Sequence, residues 1–183
     1  MYRLLAVAVL TCLAIPLRAT VLVPAEFREI VAGSQVIVHG RVAAVTPEWS
    51  ADRRRIDSVV TVEVAAYLKG GPGRTVTFRA PGGQIGRFKS ITVGAPEFRS
   101  GEEAVFFLTA QGPGVARVFG LGQGVFRVRL DPATGRRLVI PAALTARSEE
   151  PEVIRRGTVE RKPVALDAFA SQVRDALAQG GAR

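Results

Sequence analysis

The chain has 183 residues and a formal net charge of +9, and its single cysteine excludes an intramolecular disulfide framework. Its stability must therefore come from a hydrophobic core, for which the length is sufficient in one domain of ordinary size. The positive charge comes mainly from arginine, and the densest cluster, Arg53-Arg54-Arg55, has no interleaved aromatic residues for base stacking. Nucleic acid is therefore disfavoured as a partner.

The N-terminus has the layout of a secretory signal peptide. A short basic start at Met1-Tyr2-Arg3 precedes an apolar run over residues 4–17, which is too short for a comfortable membrane span. We predict a signal peptide over residues 1–19, cleaved near Ala19, and a mature protein that has lost Cys12. That protein is expected to be exported, either periplasmic or extracellular, and to contain no transmembrane segment.

A β-rich domain is predicted over residues 20–141, and it begins with a short helix. Pro24 suits the first turn of this helix, and Phe27, Ile30 and Val31 supply its apolar face. Gly33 follows as a stop signal. The sequence therefore predicts a helix of about two turns ahead of the first strand.

The first strand begins near Gln35, where the hydrophobic period changes to two. Gly40 interrupts this strand and predicts a bulge that bends it, as a closed barrel requires. The side chains predicted to point inward are Val36, Val38, Val42 and Ala44. Those predicted to point outward are Ile37, His39 and Arg41.

Further short strands follow, separated by turns rich in Gly and Pro and without intervening helices. In the second strand, Val60, Val62, Val64, Ala66 and Leu68 are predicted inward, and Thr61, Glu63, Ala65 and Tyr67 outward. The other predicted strands cover residues 75–80, 91–93, 104–108, 115–119, 125–130 and 138–140. Such a pattern favours an antiparallel barrel or sandwich.

The last part of the chain changes character. Residues 142–163 are polar and predict a loose connector, and residues 164–183 predict an amphipathic C-terminal helix with a short tail. We expect this helix, at about residues 165–179, to dock on its own barrel, with docking on a partner as the alternative. Its apolar residues at helical spacing are Leu166, Phe169, Ala170, Val173 and Leu177.

His39 is the single histidine and the first candidate for catalysis or metal binding. Zinc needs three or four ligands, and the predicted mature chain offers no second His and no Cys. No G-x-S-x-G segment is present, and the glycine-rich segments 81–90 and 120–124 lack the helix that follows a phosphate- or dinucleotide-binding loop. We therefore predict that His39 is a strand residue with a structural or surface role, that the chain is not an enzyme, and that it has no catalytic, cofactor-binding or metal-binding residues.

Four blocks of sequence resemble a family of exported bacterial proteins: LVPAEFREIVAGSQVIVHGRV, VTVEVAAYLKGGPGRTVTFRAPGGQIG, VGAPEFRSGEEAVFFL and GLGQGVFRV. The resemblance covers about residues 22–141 and implies a small, closed or partly open OB-like barrel, similar to netrin and tissue-inhibitor-of-metalloproteinases modules. It also implies a secreted protein partner such as a matrixin-type metalloprotease. The animal inhibitors bind the protease zinc through an N-terminal cysteine, whereas the expected mature start here, Thr20-Val21-Leu22, has none. The resemblance therefore does not imply that this chain inhibits a protease by binding its zinc.

Together these features predict an exported, non-catalytic binding module that binds or regulates a secreted metalloprotease. Two alternatives stay open. The net positive charge fits a polyanion-binding or cell-envelope-binding protein. An exported hydrolase would depend on His39 and on carboxylates that no motif pairs.

A partner-binding face is predicted on the outward side of the first three strands. OB-type barrels use a sheet face and adjoining loops for ligands, and exposed Tyr, Trp and Arg side chains commonly anchor interfaces. An ordinary solvated face is the alternative. The residues of the predicted face are His39, Arg41, Trp49, Glu63, Tyr67 and Arg79.

Overall fold

The computed structural model describes residues 24–71, 73–110, 115–140 and 163–180. The predicted signal peptide, its cleavage position near Ala19 and the connector up to residue 162 lie outside the described residues. The helices are α1 (Phe27–Gly33) and α2 (Leu166–Gly180). The strands are β1 (Val36–Trp49), β2 (Ile56–Lys69), β3 (Thr75–Pro81), β4 (Gly83–Ile85), β5 (Phe88–Ser90), β6 (Glu103–Thr109), β7 (Ala116–Val118), β8 (Val125–Leu130), β9 (Arg137–Ile140) and β10 (Val164–Ala165).

Five strands close into a small barrel in the order β1-β2-β3-β7-β6, and β6 pairs back to β1. These pairings are antiparallel except for β3 with β7, which run parallel where Phe78 faces Ala116. From β6 the sheet continues outward through β8, β9 and β10. The predicted fold class, a mainly β protein with a small OB-like barrel and a helix near each end, is confirmed.

The barrel wall is packed on both sides, because β1 and β6 contribute to two hydrophobic cores. In β6, Phe106 and Leu108 point into the barrel, whereas Val105 and Phe107 point outward beneath the helices. This explains why the β6 sequence is an unbroken apolar run, as expected for a strand buried on both faces. The buried residues of the barrel core are Val38, Val42, Val60, Val62, Phe78, Ala80, Ala104, Phe106, Leu108, Val118 and Val125. Those of the outer core are Ile30, Val31, Ile37, Val105, Phe107, Phe126, Val128, Val139, Phe169 and Val173.

Helix α2 docks on the outer face of its own barrel, which is the first of the two arrangements expected. The Phe169 ring lies 5.5 Å from the ring of Phe27, 6.3 Å from that of Phe107 and 5.1 Å from that of Phe126, between centroids. Val173, one turn further along, is fully buried in the same core. The apolar stripe of α2 therefore covers the sheet together with α1.

The first strand confirms part of the predicted register and corrects the rest. Val38 and Val42 are buried in the barrel core, as predicted. Ala44 is exposed, and Val45 packs against the core in its place. The reason is a bulge: the register with β2 shifts between Val42 and Ala44, so that Ala43 is an extra residue and the alternation is displaced by one.

The predicted strand at residues 91–93 does not form. Instead, β4 and β5 make a separate hairpin in which Ile85 pairs with Phe88. Gly86 occupies the two-residue turn with a φ of 57°, a conformation that favours glycine. The Ile91 and Val93 side chains follow this hairpin and are exposed.

Candidate functional site

The residues of the predicted partner-binding face lie in different parts of the structure. Arg41 lies opposite Glu63 in the pairing of β1 with β2, and both are exposed. Trp49 is the last residue of β1, about 26 Å from Arg41 along the chain at the usual strand rise. Near that end, Arg79 donates from Nη2 to the Glu48 carboxylate, 2.7 Å away. Only Arg41, Glu63 and His39 remain in one region.

Tyr67 is the clearest correction to the predicted face. It packs against the barrel core, whereas the sequence alternation placed it outward with Glu63. The register between β1 and β2 shifts where His39 faces Ala66 and Gly40 faces Val64, so that Ala65 is an extra residue of β2. This bulge exchanges the two faces of β2 beyond Ala65.

A charged cluster surrounds His39 at the start of β6. His39 is buried, and its Nε2 lies 2.8 Å from Oε1 of Glu103. Arg41 donates from Nη2 to Oε2 of the same carboxylate at 3.3 Å and from Nη1 to the Gly101 carbonyl at 3.0 Å. The Arg137 Nε lies 3.7 Å from Glu103 Oε1. One carboxylate therefore contacts an imidazole and two guanidinium groups.

Glu103 was not among the predicted site residues. It lies 64 positions from His39 in the chain, and no motif links the two. The sequence marks Glu103 only as one of two adjacent acids that precede an apolar strand. The contact arises because β6 pairs with β1, where Glu103 faces Arg41 and Val105 faces His39.

An open cleft of about 430 Å³ lies beside this cluster, between β2, β9 and the first turns of α2. Its rim carries Arg136, Arg137 and Asp167, and His39 forms part of its wall. The remaining lining is apolar and comes from Ala66, Leu68, Ala165, Leu166 and Ala170. A concave apolar surface with a few converging polar groups is the usual form of a binding site.

Ala66 and Leu68 reach the cleft because of the β2 bulge. Leu68 was predicted to point into the barrel with Val60 and Val62, and it packs instead against the outer core. Ala66 was likewise predicted inward, and it faces His39 in the pairing of β2 with β1. The bulge at Ala65 thus supplies one wall of the cleft.

Within the described residues, no group of three or more His, Cys, Asp or Glu side chains is arranged to hold a metal ion. In the same part of the chain, neither helix is long and apolar enough to cross a membrane. A scan against protein-family models and searches of curated proteins and of solved structures found no match to this chain.

Proposed function

We propose that this protein is an exported, non-catalytic binding module that holds a segment of a secreted partner protein in the cleft beside His39. The observation that carries the proposal is the cleft itself, with its apolar lining and its rim of Arg136, Arg137 and Asp167. A secreted matrixin-type metalloprotease is the partner class that we propose, on the strength of the sequence resemblance.

The lining of the cleft indicates which segment would fit. An apolar side chain of the partner would lie against Leu68, Leu166 and Ala170. An acidic side chain beside it would pair with Arg136 or Arg137, since a guanidinium offers a fork of donors that matches a carboxylate. The contact of Arg137 with Glu103, at 3.7 Å, is too long to be a hydrogen bond and does not occupy those donors.

The surroundings of His39 support a binding role over a hydrolytic one. A general base needs a ring nitrogen directed at a substrate proton or a nucleophile. The Nε2 atom of His39 is bonded to the Glu103 carboxylate, which leaves Nδ1 as the nitrogen that could act as a base. Among the described residues, the lining of the cleft beside it includes no Ser, Thr or Cys side chain that could serve as the nucleophile. We therefore propose that His39 fixes the wall of the cleft by joining β1 to β6.

The proposal predicts that filling the cleft weakens binding. Ala170 lines the cleft, whereas Ala168 is exposed on the same helix outside it. Calorimetric titration with a matrixin-type metalloprotease should give at least about tenfold weaker binding for Ala170→Trp, and the affinity of the original chain for Ala168→Trp. A thermal melt of each variant checks that both are folded.

A second pair tests the charged rim without altering the helix packing. Arg136 and Arg174 are both exposed, and only Arg136 borders the cleft. Arg136→Glu should weaken binding, and Arg174→Glu should not. The absence of any protease binding would overturn the proposed partner, and unchanged affinity in both Ala170→Trp and Arg136→Glu would overturn the cleft as the site.

A further inference from the structure

Four exposed apolar side chains lie at the end of β1 away from the cleft, in the hairpin of β4 and β5, and in the segment that directly follows this hairpin. We name them the barrel-end patch: Trp49, Phe88, Ile91 and Val93. Their exposed fractions are 37%, 51%, 74% and 80% in that order. Single exposed apolar residues are ordinary, but a group that includes two aromatic rings marks an interaction surface. The Trp49 and Phe88 rings meet edge to face, with 5.6 Å between centroids.

The hairpin that carries Phe88 is tied to the barrel by hydrogen bonds. The Ser90 hydroxyl accepts a hydrogen bond of 2.8 Å from the Ile56 backbone N–H, which ties β5 to the start of β2. The Ser58 hydroxyl donates to the Gly82 carbonyl at 2.8 Å, and the Gly82 N–H donates to the Ile56 carbonyl at 3.0 Å. These hydrogen bonds fix the hairpin of β4 and β5 beside Trp49. Phe88 is therefore exposed in the folded hairpin itself.

The surroundings of the patch are strongly basic. Arg87 and Lys89 flank Phe88, and the guanidinium carbon of Arg87 lies 5.1 Å from the centre of the Phe88 ring. The tip between β1 and β2, which follows Trp49 directly, presents Arg53, Arg54 and Arg55, all exposed.

Acidic groups near the patch are few. Asp57 is buried, 4.0 Å from the Arg55 guanidinium. Asp52 is exposed, and the Ser50 hydroxyl donates to its carboxylate at 2.6 Å, which lowers the pKa of Asp52 and keeps it ionised. Glu48, at the end of β1, is paired with Arg79 at 2.7 Å. Three carboxylates therefore stand against six basic side chains, so the net charge around the patch is positive.

We propose that the barrel-end patch docks the protein on an anionic phospholipid surface. Ile91, Val93 and the two rings enter the interface between headgroups and acyl chains, and the five basic side chains other than Arg79 pair with the phosphates. Trp favours this depth because its ring is amphipathic. The inference goes beyond the proposed function, since it concerns a different surface and does not depend on the cleft.

Lipid is favoured over a protein as the occupant because of the exposure and the charge of the patch. Ile91 and Val93 are more exposed than the aromatic rings, so most of the surface of each is open to a neighbour. A protein partner would need a matching pocket for each of these side chains, whereas a bilayer surface deforms around them. The basic border adds the charge complementarity that an anionic membrane provides.

Trp49 makes the test direct, because it is the single tryptophan of the chain. The full chain is mixed with vesicles of phosphatidylcholine alone or of phosphatidylcholine with phosphatidylglycerol, and the fluorescence of Trp49 is recorded. The expected result is a blue shift with the anionic vesicles, quenching by lipids brominated on the acyl chains, and loss of both effects in high salt. Unchanged fluorescence with anionic vesicles would overturn the proposal.

Matched variants separate the patch from the remainder of the chain. Ile91→Ser with Val93→Ser should weaken partition into anionic vesicles at least about tenfold. Val115→Ser with Leu130→Ser changes two exposed aliphatic side chains outside the patch and should leave partition unchanged. All variants share the same N-terminal segment, so any lipid contact made by that segment is common to them.

Two further results would contradict the proposal. Equal loss of partition in both double variants would show that the patch is not the docking surface. Patch-dependent self-association in sedimentation, without vesicle binding, would show that the patch serves a second copy of the chain. Because the cleft variants are measured against a protease and these variants against vesicles, either proposal can fail while the other stands.

Discussion

Gly40 is required where two strands approach closely. Its φ is not positive, so the need for glycine is not conformational. A Cβ at this position would collide with the Glu63 carbonyl oxygen and would lie 2.6 Å from a methyl carbon of Val62. The extra residue of β2, Ala65, lies at the same level of the pairing, between the partners of His39 and Gly40. The predicted bulge is therefore present, but the extra residue belongs to the partner strand.

We predict that Gly40→Ala destabilises the domain by about 1–3 kcal/mol, because the backbone of β2 must move to make room. Gly180→Ala is the matched control, since no atom lies within 4 Å of a Cβ built at that position. Urea unfolding measures both, and the control should change the free energy of unfolding by less than about 0.5 kcal/mol. Equal effects of the two substitutions would show that β1 and β2 are not in close contact at Gly40.

The site residues show which side-chain positions could be predicted from the sequence and which could not. Alternation correctly placed Val38 and Val42, because the register shifts before Val42 leave their extra residues in β2 and the alternation of β1 is unbroken up to Val42. It failed for Tyr67, because an Ala at position 65 gives no local signal that a residue will be left out of the pairing. It could not find Glu103 as the partner of His39, since that contact depends on how β6 pairs with β1.

At the scale of elements, α2 is joined to the barrel by a cluster of phenylalanine rings. Its position along the chain was predicted within one residue, because apolar residues at a period of 3.6 over four turns are a strong signal. The short strand predicted at residues 91–93 had no such support, and the turn at Gly86 closes the hairpin earlier. Long periodic elements are thus predictable, and short strands near glycine turns are not.

We predict that Phe169→Ala destabilises the domain by about 3–5 kcal/mol, because it removes a buried ring that contacts three others. Ser171→Ala, on the exposed side of the same helix, is the control. Both are measured by urea unfolding followed by circular dichroism. A loss below about 1 kcal/mol for Phe169→Ala would indicate that α2 does not dock on the barrel in solution.

At the scale of the molecule, the two proposed surfaces lie far apart on one barrel. His39 beside the cleft and Trp49 in the barrel-end patch belong to the same strand, about 33 Å apart along it. The outer core and α2 lie over the face that includes the cleft, whereas the patch depends on the hairpin of β4 and β5. A protein partner and a membrane surface could therefore be bound together.

Hydrogen–deuterium exchange on the chain alone and with a matrixin-type metalloprotease tests the proposed binding site most directly. The cleft is formed by residues 66–68 of β2, 136–137 at the start of β9 and 165–170 of β10 and α2. We predict slower exchange in these segments on protease binding, and unchanged exchange at residues 88–93 of the barrel-end patch. Protection confined to residues 88–93, or to the strand residues around Glu63 and Arg79, would contradict binding in the cleft.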